Sequence, residues 1–145
     1  LNVPFLKDHR TLGLSCGTVN MTLGLVNNPG RFTDNGGDPA VAELLARDEI
    51  RKKHRLTLVN GIRGIYDGGP RDQEGKIWDQ CSLLMGTDVV AVDRIAQDLI
   101  DAARFSRGLR GLDEVGRPPK YLDAAGRMGL GIKDLTEIDV FHINL

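Results

Sequence analysis

The chain has 145 residues, of which 41% are hydrophobic and 27% are charged, and its formal net charge is −1. A chain of this length and composition is typical of one globular domain with its own core, so we interpret residues 1–145 as a single domain. The near-neutral charge argues against a nucleic-acid partner, and no apolar run is long enough to span a membrane.

The chain begins at Leu1, inside a stretch that has the pattern of a strand, and it shows no signal peptide. We therefore expect a fragment of a longer chain that is cytoplasmic, or exported if a signal segment has been removed. A fragment would leave apolar sheet edges uncovered, so a homo-oligomer is a further expectation.

The first part of the chain predicts a strand followed by helices. Residues 1–6 have the pattern of a short strand that runs into a polar cluster, Lys7–Arg10, which is either a solvated loop or a ligand crevice. The apolar, small-residue stretch 12–26 predicts a buried helix. A second helix is expected to begin with Asp38 as N-cap and Pro39 as its first residue.

The middle of the chain predicts a strand and a glycine-rich loop. Residues 56–59 have the strand pattern, and residues 60–70 have the loop composition. The loop contains neither a dinucleotide fingerprint nor a P-loop. Its backbone N–H groups could still hold an anion with added charge from Arg63, or the loop could be a structural turn.

A strand, turn and helix dominate the second half. Residues 80–85 predict a buried strand, and Thr87 is a candidate N-cap for the amphipathic helix that ends near Phe105. Arg94 and Asp98 are spaced to pair on the exposed side of this helix. A basic, glycine-rich connection, a short helix over 121–128 and a final strand near 139–144 are expected to follow.

The two cysteines give no metal-binding pattern. Cys81 is expected to be a small buried side chain beside the 80–85 strand, whereas Cys16 is either structural or a reactive thiol. A disulfide between them remains open. Two cysteines 65 positions apart provide neither a zinc site nor an iron–sulfur ligand run, so we assign no metal ligands.

Three motifs occur in an order that is characteristic of one family. Val3–His9 is similar to VPxLKxH, Asn20–Gly24 continues a KNxxxG pattern, and Thr87–Asp93 is similar to S/T-D-P-V-A-x-D. On these residues the chain resembles the family called domain of unknown function 362, whose members are often described as uncharacterised iron–sulfur centre proteins.

The resemblance implies that this chain is the C-terminal half of a longer protein with a redox-related role and a redox partner. Many members carry a cluster-binding ferredoxin segment, but this chain lacks the four cysteines, so an iron–sulfur cluster is possible only through a missing segment or a partner. The chain also departs from the family pattern at three positions. Val19 replaces Lys, Asn60 replaces Asp and Val89 replaces Pro.

The alternation of strands and helices predicts an α/β fold with a mostly parallel or mixed sheet flanked by helices. We expect polar side chains to gather at one end of that sheet. The candidate catalytic residues are Lys7, which could hold an anion, His9, a general base or metal ligand, and Asp88, which could orient His9 or bind a cation. The candidate ligand-binding residues are Asn20, Asn60, Arg63, Gly68, Gly69 and Asp93.

Three functional classes are compatible with these residues. The first is a redox-associated protein such as an oxidoreductase, and it rests on family analogy. The second is a binding module for an anionic or metal-bound small molecule. The third is a structural or oligomeric fragment whose polar cluster only satisfies buried backbone groups.

Overall fold

A four-stranded mixed sheet is the centre of the structure, a computed structural model that describes residues 1–71 and 75–143. Its strand order is β2-β1-β3-β4, where the central β1 and β3 are parallel and both outer pairs are antiparallel. The predicted α/β fold is therefore confirmed, in its mixed form. The strands are β1 (Phe5–His9), β2 (Gly13–Ser15), β3 (Thr57–Ile65) and β4 (Ile77–Gly86).

Helices cover one face of this sheet. The 17-residue α4 packs its apolar stripe, which includes Val92, Ala96 and Ile100, against Leu6 and Val59 of the sheet. A second cluster joins α4 to the shorter helices and includes the fully buried Tyr121. The helices are α1 (Gly17–Thr22), α2 (Ala40–Ala46), α3 (Asp48–Arg51), α4 (Val89–Phe105) and α5 (Lys120–Arg127).

The opposite face of the sheet, here called the outer face, carries exposed apolar side chains. Phe5, Leu83 and Met85 are 61%, 59% and 69% exposed. Because successive side chains of a strand point to opposite faces, Lys7 and His9 share the outer face with Phe5. The charged candidates on β1 therefore lie beside an apolar surface.

The stretch 12–26 is not one helix. Residues Gly13–Ser15 form β2, which pairs with β1, and only Gly17–Thr22 are α-helical. Gly13 has φ +73°, and a Cβ there would collide with the Arg117 carbonyl. The glycine thus permits a tight return of the chain into the sheet, which the apolar composition alone did not reveal.

The glycine-rich stretch 60–70 is mostly strand rather than loop. Asn60, Gly61 and Arg63 pair with β4, and the loop begins only after Ile65. A register shift between Gly61 and Arg63, opposite the positive-φ Cys81, marks a β-bulge. Glycine is needed at position 64 because the Trp78 ring packs directly against its backbone, where a Cβ would collide with the ring.

Both predicted helix caps differ from the observed ones. Asp88, not Thr87, caps α4, because its carboxylate accepts hydrogen bonds from the N–H groups of Val90 and Ala91. Asp38 does not cap α2, and its carboxylate instead accepts two hydrogen bonds from Arg127.

The prediction that Cys81 is buried is wrong, and of the two alternatives for Cys16 the structure favours the structural one. Cys16 is fully buried and Cys81 is exposed, and both are free thiols. Burial raises the pKa of the Cys16 thiol well above its ordinary value, which disfavours a reactive thiolate there. Cys81 lies at the bulge between β3 and β4, with φ +52°.

The strand predicted near residues 139–144 is not found among the described residues. Residues 139–143 form no strand, with Phe141 87% exposed, and residue 144 of the expected strand lies outside the described residues. The basic connection after α4 packs closely on the domain, because Leu112 is fully buried and its N–H donates to Asp101. No helix among the described residues is long and apolar enough to cross a membrane.

Candidate anion site and the ion-pair network behind it

Lys7 and His9 lie two residues apart on the outer face of β1, near its carboxyl end. Strand alternation buries Leu6 and Asp8 on the helix-covered face and leaves Lys7 and His9 half-buried on the other. Lys7 lies opposite Ser15 of β2, and His9 lies opposite Gly13. The strand therefore presents two basic groups side by side.

Hydrogen bonds to the His9 ring determine which of its two nitrogens carries the proton. Its Nδ1 atom accepts hydrogen bonds from the N–H groups of Thr11 and Leu12, both at 3.2 Å. The neutral ring must therefore carry its proton on Nε2. Burial, followed by the charge of Lys7, lowers the pKa of His9, so the ring is neutral at pH 7 and offers one N–H donor.

No carboxylate of the described residues forms an ion pair with Lys7. Its ammonium forms no hydrogen bond or ion pair with a described residue. Arg104 and Arg117, by contrast, are both paired with aspartates. Within residues 1–71 and 75–143, the Lys7 charge is therefore not offset by an ion pair.

A buried ion-pair network lies on the other side of β1. Asp8 is completely buried, and its carboxylate accepts a hydrogen bond from Arg117 at 3.0 Å and one from the Gly69 N–H at 2.7 Å. Burial raises the pKa of Asp8, while Arg117 and the Gly69 N–H oppose that rise. The pairing offsets the cost of burying a charge beneath the site.

Asp67 connects this network to helix α4. Its Oδ1 atom accepts from both Arg104 and Arg117 at 2.9 Å, and Lys76 lies 3.2 Å from its other oxygen. These three cations outweigh the effect of burial and hold the pKa of Asp67 at about 2. The network thereby fixes the loop after β3 against the carboxyl end of β1.

The two loop glycines support that fixation. The Gly69 N–H is occupied by Asp8, and a Cβ on Gly69 would collide with the Asp8 carbonyl. Gly68 has φ +81°, a left-handed conformation that favours glycine. Both predicted ligand-binding glycines therefore lie at this end of the sheet, where Gly69 holds the loop close to β1.

The other predicted site residues lie elsewhere. Asn20 donates to the Oδ1 atom of Asn2 at 2.7 Å, near the amino ends of β1 and β3. Asn60 accepts from the N–H of Ile62 within the β-bulge. Arg63 is exposed, and its guanidinium lies 3.5 Å from Asp79.

Asp88 and Asp93 each hold backbone groups. Besides capping α4, Asp88 accepts from the Ile132 N–H at 2.8 Å, and it does not contact His9. Asp93 is fully buried and accepts from the N–H groups of Gly17 and Thr18, at 2.6 and 2.9 Å. Burial raises the pKa of Asp93 to about 6 against these hydrogen bonds.

The predicted site residues do not gather at one end of the sheet. Lys7, His9, Gly68 and Gly69 lie at the carboxyl end of β1, whereas Asn20, Asp88 and Asp93 lie toward its amino end. Sequence reasoning missed the network of Asp8, Asp67, Arg104 and Arg117. One signal could have indicated it, since Asp8 alternates with the apolar Leu6 and a buried carboxylate requires a partner.

The residues present do not fit an iron–sulfur cluster. Across residues 1–71 and 75–143, no group of three or more His, Cys, Asp or Glu side chains could hold a metal ion. Cys16 lies in the core and Cys81 on an exposed strand, so the two thiols do not converge. A cluster of the kind implied by the family resemblance would require ligands from outside this part of the chain.

Comparison with known proteins identifies the family. The family model described as Domain of unknown function (DUF362) matches residues 1–98 of the 145, a range that includes all three sequence motifs. No curated protein and no solved structure matches the chain. The chain belongs to the DUF362 family, a domain of unknown function.

Proposed function

We propose that this domain binds an anionic small molecule or group, such as a phosphate or carboxylate, through Lys7 and His9. The observation that carries the proposal is the Lys7 ammonium, which has no ion pair among the described residues, beside a histidine whose N–H donor is fixed on Nε2. Residues two apart on a strand have Cα atoms about 7 Å apart, a spacing at which both side chains can reach one anion.

The surrounding charges support an anion rather than a cation. In the part of the chain that the structure describes, the carboxylates of Asp8 and Asp67 are already engaged by Arg104, Arg117 and Lys76. Lys7 supplies a point charge and His9 a neutral N–H donor. The network behind β1 holds the strand in place, which reduces the entropy lost when the ligand binds.

The redox alternative has less support from this chain. Its iron–sulfur centre would need ligands beyond the described residues, and no observed contact favours it. The structural alternative predicts a distinct result: replacing Lys7 or His9 with alanine would destabilise the fold and weaken no ligand. We therefore favour binding and assign no catalytic step.

Isothermal titration calorimetry with inorganic phosphate, at pH 7 and low ionic strength, tests the proposal. We expect Lys7→Met and His9→Phe each to weaken phosphate binding about 10-fold or more, since hydrogen bonds to charged groups contribute about 1.5–3 kcal/mol. Lys52→Met is the matched control, because Lys52 is an exposed lysine paired with Asp48 on α3. Equal affinity of the Lys7→Met and control variants would contradict the proposal.

A further inference from the structure

A polar cleft lies on the helical side of the domain, away from Lys7 and His9. It has a volume of about 380 Å³ and lies between α4, α5 and the segments before and after α5. This volume is in the range of about 300–1,000 Å³ that small-molecule sites occupy. The side chains of Arg94, Gln97, Asp113, Leu122, Lys133 and Leu135 are among those that line it.

Arg94 gives the cleft an unpaired positive charge. Asp98 lies four residues further along α4, at the spacing that predicts a helical ion pair, yet no such pair is present. Arg94 lines the cleft and has no hydrogen bond or ion pair within the described part of the chain. A planar guanidinium in this state is suited to bind a carboxylate through two hydrogen bonds.

Hydrogen-bond acceptors lie one helical turn from Arg94, at Gln97 and the Asp113 that it contacts. Gln97 is 6% exposed, and its amide Nε2 donates to Asp113 Oδ1 at 3.2 Å. No described residue donates to the amide oxygen of Gln97 or to the second carboxylate oxygen of Asp113. The nearly buried glutamine thus holds Asp113 at the cleft and leaves acceptors for a ligand's ammonium group.

The remaining lining closes the cleft with apolar surface and a neutral ion pair. Pro118, Pro119, Leu122 and Leu135 are apolar, and Lys133 is neutralised by Asp123 at 2.6 Å. Asp134 also lines the cleft, and its Oδ1 atom accepts hydrogen bonds from the N–H and the hydroxyl of Thr136. Among the described residues, the lining therefore offers one cation, Arg94, and two carboxylates, Asp113 and Asp134, that have no ion pair, next to an apolar surface. That pattern matches a small zwitterion with an aliphatic side chain.

We propose that this cleft is a binding site for an aliphatic α-amino acid or a similar small zwitterion. Arg94 binds its carboxylate, Asp113 and Gln97 bind its ammonium, and the prolines and leucines contact its side chain. Such a site is separate from the proposed anion site on the outer face, and neither depends on the other.

NMR chemical-shift titration with L-leucine tests this inference on the full chain. Two probes separate the charges: 4-methylpentanoate lacks the ammonium group, and 3-methylbutylamine lacks the carboxylate. We expect saturable shifts around Gln97 and Leu122 with L-leucine, and binding about 10-fold or more weaker for each single-charge probe. Arg94→Gln should weaken L-leucine binding to the level of the amine, and Arg47→Gln, which changes an exposed arginine before α3, should have no effect.

Two results would overturn the inference. One is the absence of saturable shifts at the cleft when L-leucine is added to the folded wild-type protein. The other is undiminished L-leucine binding by Arg94→Gln. Because the mutated residues are exposed or half-buried surface groups, loss of the fold is not the expected outcome.

Discussion

Arg117 donates a hydrogen bond to Asp8 across 109 positions of sequence, and Asp8 is completely buried. This contact joins the strand that carries Lys7 and His9 to the basic segment after α4. The same guanidinium also donates to Asp67 at 2.9 Å. The proposed anion site therefore depends on a network in which one arginine serves two carboxylates.

Replacement of Arg117 should be strongly destabilising. Arg117→Met leaves Asp8 buried without its cation, and removal of one partner of a buried ion pair costs about 3–5 kcal/mol. Urea denaturation at pH 7 measures this loss. The exposed pair broken by Lys52→Met should cost no more than about 1 kcal/mol.

A double variant separates charge burial from packing. Asp8→Asn combined with Arg117→Met removes both charges, so it should be more stable than Arg117→Met alone. If the double variant is the less stable of the two, the uncompensated Asp8 charge is not the cause of the destabilisation.

Asp93 should make stability fall as pH rises from about 4 to about 7. Its pKa is raised to about 6 in the folded state from 3.8, so the native protein binds more protons than the unfolded chain in this interval. By linkage, the free energy of unfolding should decrease by on the order of 3 kcal/mol over this interval. The decrease is absent below about pH 4 and nearly complete above about pH 6.

Urea denaturation of Asp93→Asn at several pH values isolates this effect. The variant keeps only one acceptor oxygen for the N–H groups of Gly17 and Thr18, and it also loses the pH-dependent component. Its deficit in stability relative to wild type should therefore be largest near pH 4. Asp79→Asn, at an exposed position on β4, is the control. A deficit that is constant with pH would contradict the raised pKa of Asp93.

Gly64→Ala should destabilise the sheet by about 1–3 kcal/mol, because the new Cβ would collide with the Trp78 ring. Trp78 is held by its hydrogen bond to Gln80 and its edge contact with Tyr66, so the ring has little freedom to move aside. Denaturation followed by the fluorescence of this single tryptophan measures the change. Gly24→Ala, which meets no atom within 4 Å, should be nearly neutral, and equal losses in the two variants would contradict the argument.

His9 should titrate below the ordinary histidine value of 6.5, because burial and Lys7 both disfavour its charged form. An NMR titration of the imidazole carbons measures its midpoint directly. Sulfate, whose charge is constant from pH 5 to pH 8, should bind more tightly as His9 becomes protonated. Lys7→Met should raise the midpoint, and an unchanged midpoint would contradict the coupling between the two side chains.

Patterns among neighbouring residues correctly predicted the helices α4 and α5. The apolar stripe that includes Val92, Ala96 and Ala103 correctly placed α4, and the short helix predicted over 121–128 agrees with α5 within one residue at each end. Long-range contacts were not accessible in this way. The pairing of Gly13–Ser15 with β1 and of Arg63 with β4 depends on residues distant in sequence, so both segments were assigned to the wrong element.

The same limit applies to the site. Lys7 and His9 were identified because a polar cluster follows a strand pattern, although both proved to lie within the strand. Asp88 and Asp93 were predicted to act in catalysis or ligand binding, but each carboxylate accepts hydrogen bonds from backbone N–H groups. Some of these donors, such as Ile132 for Asp88 and Gly17 for Asp93, are distant in sequence, so the pattern does not reveal them. A carboxylate near a helix start therefore has structural uses that spacing cannot distinguish from function.

The most direct test of the account is a two-dimensional NMR titration of inorganic phosphate into the wild-type chain at pH 7, with the Lys7 and His9 side chains observed. We expect saturable shifts of the Lys7 Nζ and His9 Nε2 signals, with smaller changes at Arg94 in the separate cleft. Absence of shifts at Lys7 and His9 while phosphate binds elsewhere, or no saturable binding at all, would contradict this expectation.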